Sequence, residues 1–104
     1  MENVDSLWRV PVNHPAFAGH FPGRPIVPGV VLLDRALLLA QAAQGGAARH
    51  DGGWQVSQVK FLSPCGPGDE LVFELRPGPR AGCAFTVRCG DRDVAAGLLL
   101  PLPA

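Results

Sequence analysis

The chain has 104 residues, of which 47% are hydrophobic and 17% charged, with nine basic and nine acidic side chains and a formal net charge of zero. That length bounds it to one domain (1–104) with a modest core, and neutrality argues against a nucleic-acid role, which needs a surplus of positive charge. The apolar content leaves surface to spare for a subunit interface.

In chain order, Leu7 to Val12 reads as a first strand. His14 precedes Pro15 in a loop and reads as an exposed or capping residue. Phe17 and Phe21 flank His20, either as core packing or as the wall of a tunnel. From His20 to Asp34 the chain runs His-Phe-Pro-Gly-Arg-Pro-Ile-Val-Pro-Gly-Val-Val-Leu-Leu-Asp. Pro22, Pro25 and Pro28, with Gly23 and Gly29, exclude a helix or an interior strand there, because each proline fixes φ and lacks an N–H. A stiff, shaped loop is expected.

Val30 to Gln44 carries no proline or glycine and is rich in Leu and Ala, so a helix is favoured, stopped by Gly45-Gly46. Pro28 falls at its first turn, where a missing donor costs nothing. Gly29 has no side chain, so a ligand can approach its backbone N–H at the positive end of the helix dipole, as an oxyanion site requires. Asp34 sits about one turn further on, among Leu32, Leu33, Leu37 and Leu38, in a helix expected to be buried all round. A carboxylate so placed either acts as proton donor or hydroxyl ligand, or is neutralised by Arg35 or solvent. The helix, at about 15 residues, is too short to cross a bilayer.

Beyond the glycines the period changes to two. Residues 54–62, 70–76, 82–89 and 92–102 read as strands, with turns at Pro64 to Asp69, Pro77 to Gly82 and Gly90-Asp91. Short turns imply an antiparallel sheet whose apolar face the helix must cover, an α+β arrangement. Cys83 and Cys89 lie about 20 Å apart on one strand, beyond disulfide reach. With Cys65 the count is odd, no metal-ligand spacing appears, and no secretory segment is seen, so a reduced cytoplasmic protein is the simplest reading.

The string His20-Phe21-Pro22-Gly23-Arg24-Pro25, followed by Pro28-Gly29-Val30 and an acid fourteen positions after the histidine, closely resembles the FabZ/FabA-type 3-hydroxyacyl-[acyl-carrier-protein] dehydratases of the hotdog fold. Val59-Lys60-Phe61-Leu62, Pro64 and Pro67-Gly68-Asp69-Glu70-Leu71 continue the resemblance. It implies one long helix wrapped by about five antiparallel strands, and a homodimer or higher even oligomer whose sites are shared between subunits. It implies dehydration of carrier-linked 3-hydroxyacyl thioesters to trans-2-enoyl thioesters in fatty-acid, polyketide or polyene synthesis, without metal or redox cofactor. His20 would take the C2 proton, Gly29 N–H would hold the thioester oxygen, and Asp34 of the other chain would help expel the hydroxyl. Phe21, Pro28, Val30 and Leu38 would line the acyl tunnel. Arg24, nearest the active loop, would receive an acidic acyl carrier protein.

Three departures stand out. Leu38 replaces a glutamine common in the family; Asp34 matches the FabA branch, which in part also isomerises its product, rather than the glutamate of FabZ; and the short helix and first strand that precede Trp8 in the family are expected to be missing. The alternatives are a hotdog acyl thioesterase, in which the helix acid activates water, and a non-catalytic acyl-binding partner subunit.

Overall fold

A computed structural model describes residues 2–15, 26–43 and 53–102 of the chain. The elements are β1 (Val4–Arg9), α1 (Gly29–Ala43), β2 (Trp54–Phe61), β3 (Glu70–Pro77), β4 (Cys83–Cys89) and β5 (Arg92–Pro101). All pairings are antiparallel, and the sheet runs in the order β1-β3-β4-β5-β2. The last three strands are joined by short turns. Cys89 pairs with Arg92 across a two-residue turn, where Gly90 has φ of +60°. β1 and β2 lie at opposite edges, so the connection carrying α1 must cross the sheet, which lays the helix over one face.

That face is apolar because the strands alternate. Leu71, Phe73 and Leu75 of β3 and Cys83, Phe85 and Val87 of β4 are buried at every second position. Burying side chains of this size contributes roughly 1.5–3 kcal/mol each. From the helix come Leu32, Ala36 and Ala40, four residues apart and therefore in one row. Both alanines have no exposed surface; their small side chains let the helix lie close on the sheet.

The helix differs from the expectation of burial all round. Val30, Asp34 and Leu38, also four apart, form an exposed row, with Val30 69% and Leu38 60% exposed. The physical reason is coverage: one sheet can shield only one side of a helix. The first strand differs too, spanning Val4–Arg9 rather than Leu7 to Val12. Its ladder with β3 ends where Arg9 meets Glu70. Val10 instead bonds to the turn before β3, donating to Asp69 O at 2.8 Å and accepting from Gly68 N–H at 2.8 Å. Asp5 and Ser6 obscure the strand in the sequence, since neither favours one.

Arg35, one of the two neutralising partners considered for Asp34, stacks its guanidinium 4.6 Å above the Trp8 ring. Trp8 in turn packs edge-on against Phe73, ring centroids 6.4 Å apart. This stack ties α1 to β1 at the sheet edge. Cys65, Cys83 and Cys89 are all free thiols.

Candidate active site

The turn before β3 sets the start of the helix. Gly66, Pro67, Gly68 and Asp69 close on an Asp69 N–H to Gly66 O bond of 3.2 Å, with Gly68 at φ of +84°, the arrangement of a type II turn. The Asp69 carboxylate accepts the Gly66 N–H at 2.9 Å. Next to this turn, Cys65 O accepts the Val27 N–H at 2.8 Å. Val27 is thereby fixed, Pro28 follows with φ already suited to a helix, and Gly29 becomes the first helical residue. The N–H groups of a first helical turn have no intrahelical acceptor, so they present partial positive charge at this point.

A cavity of about 430 Å³ opens beside that helix end, lined by Ile26, Val27, Gly29, Leu32 and the run Phe61–Cys65. The lining is mainly apolar, and the volume lies within the range of small-ligand sites. Phe61, the last residue of β2, lays its ring on Gly29: a Cβ built there would stand 2.5 Å from Cζ and 2.8 Å from Cε1. A side chain at Gly29 would require the outer edge of this half-exposed ring to swing aside. The segment after Phe61 is anchored to β5, since Leu62 N–H donates to Val94 O at 2.8 Å and Ser63 Oγ to Asp93 O at 2.6 Å.

The structure brings only some of the expected site residues together. His20, Phe21 and Arg24 lie outside the described residues. Gly29 lines the cavity and Pro28 stands half-buried beside it, its carbonyl accepting the Val31 N–H at 3.0 Å. Asp34, Val30 and Leu38 are not among the described cavity residues; they occupy the exposed row of α1. Asp34 is thus not enclosed by its own protomer's core, contrary to the buried setting expected for it.

Residues 1–98 match the family model described as ApeI-like, ApeI dehydratase. The chain belongs to this family. A 3-hydroxyacyl-[acyl-carrier-protein] dehydratase FabZ from Paracidovorax citrulli is 30% identical over 120 residues, covering 90% of this chain and 80% of that one. Other curated dehydratases of that name share 33–40% identity, and the chain spans only 52–61% of their length. Among solved structures, the dehydratase heterocomplex ApeI:P from Xenorhabdus doucetiae superposes with a TM-score of 0.80 at 23% identity, covering 98% of this chain and 88% of that one. An F36A mutant of the fluoroacetyl-CoA-specific thioesterase FlK superposes at 0.67 with 12% identity, over 94% and 82% of the two chains. At these identities the two likenesses show the fold alone, and it is the hotdog fold, one helix against five antiparallel strands.

Within this ApeI-like chain, the bounds expected for the helix and for four of the five strands hold closely, while two features of the cavity were not foreseen. Phe61 reads in the sequence as one more residue of a strand; its signals are its place in the family-like string Val59-Lys60-Phe61-Leu62 and a large aromatic at the strand's end just before Ser63-Pro64. Cys65 is the second. Burial pushes its thiol up to about 11, reinforced by the nearby Asp69 and Cys89 and opposed by Arg92. A thiol held protonated at neutral pH is a wall of the cavity and not a nucleophile.

Proposed function

We propose that this ApeI-like chain dehydrates 3-hydroxyacyl thioesters carried on an acyl carrier protein to trans-2-enoyl thioesters, in fatty-acid, polyketide or polyene synthesis. The observation that carries the proposal is Gly29: a glycine at the first turn of a 15-residue helix, opening on an apolar cavity. An N–H held there suits an oxygen that gains negative charge as a proton leaves C2. His20 removes that proton; the C2–H electrons form the C2=C3 bond; the C3–O bond breaks, and the hydroxyl leaves as water with a proton from Asp34. A histidine titrates in the range a general base needs.

The exposed row of Val30, Asp34 and Leu38 supports a site completed by a second subunit. An acid flanked by bare apolar side chains gains apolar surroundings when another chain covers it. We infer a homodimer, or a higher even oligomer, in which His20 of one protomer meets Asp34 of the other, with Phe21, Pro28, Val30 and Leu38 toward the acyl chain. Arg24 is placed in this reading as a contact for the acidic carrier. A cytoplasmic location fits three free thiols, and among the described residues no helix is long and apolar enough to cross a membrane.

Hydration of a crotonyl thioester, followed by loss of enone absorbance, tests the reading. Wild type is expected to turn over, and His20→Ala and Asp34→Asn to lose activity with the oligomer intact. Release of free thiol would identify a thioesterase instead. The heterocomplex formed by the X. doucetiae dehydratase favours one second reading, in which the covering subunit is a different chain. Turnover would then appear only when that chain is added.

A further inference from the structure

We propose that Phe61 is the residue that sets the size of the acyl group admitted at the Gly29 end of the cavity. The ligand class rests on the dehydratase reading; the geometry does not. Phe61 combines three properties within the described cavity. Its ring lies against Gly29, so close that a methyl group on that residue would require the outer edge of the ring to shift. It lines the same cavity as Gly29. It is also 53% exposed, so the ring is not locked into the core and its loss leaves the core intact.

The backbone around Phe61, by contrast, is held. Phe61 pairs with Ala95 of β5, and the next residue bonds to Val94 O at 2.8 Å. A fixed backbone carrying a half-free ring makes a filter of set position. An acyl group whose carbonyl reaches the Gly29 N–H must pass or rest against this ring. With phenylalanine there, straight short chains fit beside it, whereas an aryl or branched group near C3 competes with the ring for the same volume.

The test measures binding, so that it stands apart from turnover. Two unreactive pantetheine conjugates, with an amide in place of the thioester, carry a butyryl or a 3-phenylpropionyl group. Their dissociation constants are measured by calorimetry for wild type, Phe61→Leu and Phe61→Ala. The ratio of affinities is expected to move toward the phenylpropionyl conjugate by on the order of tenfold in Phe61→Ala, and by less in Phe61→Leu, since cavity discrimination of this kind is worth about one to two orders of magnitude. A ratio unchanged within twofold in both variants overturns the proposal, as does a wild type that binds neither conjugate. Phe61→Leu retains an apolar strand end and guards against misfolding of the alanine variant. Binding as expected without thioester hydration would uphold the role of Phe61 and overturn dehydration by this chain alone.

Discussion

Cys65 stands in the wall of the cavity, beside the start of the helix, and its chemistry is decided by what surrounds it. Because desolvation holds its thiol at about 11, above the ordinary 9.0, alkylation by iodoacetamide at pH 8 should be on the order of a hundredfold slower than in the denatured chain, read by peptide mass spectrometry. The same shift has a consequence for stability. The folded state holds the proton more tightly than the unfolded one, so the contribution is complete below about pH 9 and is lost as pH rises toward 11. Denaturation midpoints measured across that interval should fall in wild type and fall less in Cys65→Ala. Gly68 makes a different residue-scale argument. At φ of +84° it occupies a conformation that L side chains rarely adopt, and its turn holds Val10 and the segment before α1. Gly68→Ala should cost about 1–2 kcal/mol in urea unfolding, although nothing lies near the new methyl.

At the scale of elements, the helix and the sheet meet through small side chains. Ala36 and Ala40 have no exposed surface, so there is no room for a larger group without moving α1 outward. Ala36→Leu should therefore destabilise by about 1–3 kcal/mol through overpacking, measured by thermal or denaturant unfolding. A displaced helix also carries Gly29 away from Phe61, so the same variant should bind acyl conjugates more weakly. The stack of Arg35 on Trp8 and Trp8 on Phe73 holds the same helix at the β1 side. Together these contacts fix the far end of the helix relative to the cavity that its first turn opens.

At the scale of the molecule, the protomer has two features that a second subunit would cover: the apolar row around Asp34 and the edge strand β2, which among the described residues pairs only with β5. An edge strand and an exposed apolar row each invite pairing with another chain. If the site is shared in a homodimer, mixing His20→Ala with Asp34→Asn should restore activity. Random reassociation makes half the dimers mixed, each with one intact site, so the recovery should be about a quarter of wild type. No recovery after verified subunit exchange would place both groups within one chain, or the second group on a different one.

Much of this protein is written locally in the sequence. Alternation at period two located four of the five strands, because burial of one sheet face is recorded in each strand's own residues. Pro28-Gly29 marked the start of the helix, because proline and glycine restrict the backbone wherever they stand. The Pro67-Gly68-Asp69 turn was legible for the same reason. What only the tertiary structure decided depends on which distant segments become neighbours. The strand order puts β2 at the edge beside the start of α1, which brings Phe61 onto Gly29 and makes the cavity. The single sheet covers one side of the helix and leaves Asp34 bare, although the helix is apolar on nearly every face. Arg35 joined Trp8 because β1 runs beside it, a partner that no spacing within the helix could name. Periodicity states which side chains must be buried; the packing of elements far apart in the chain states against what.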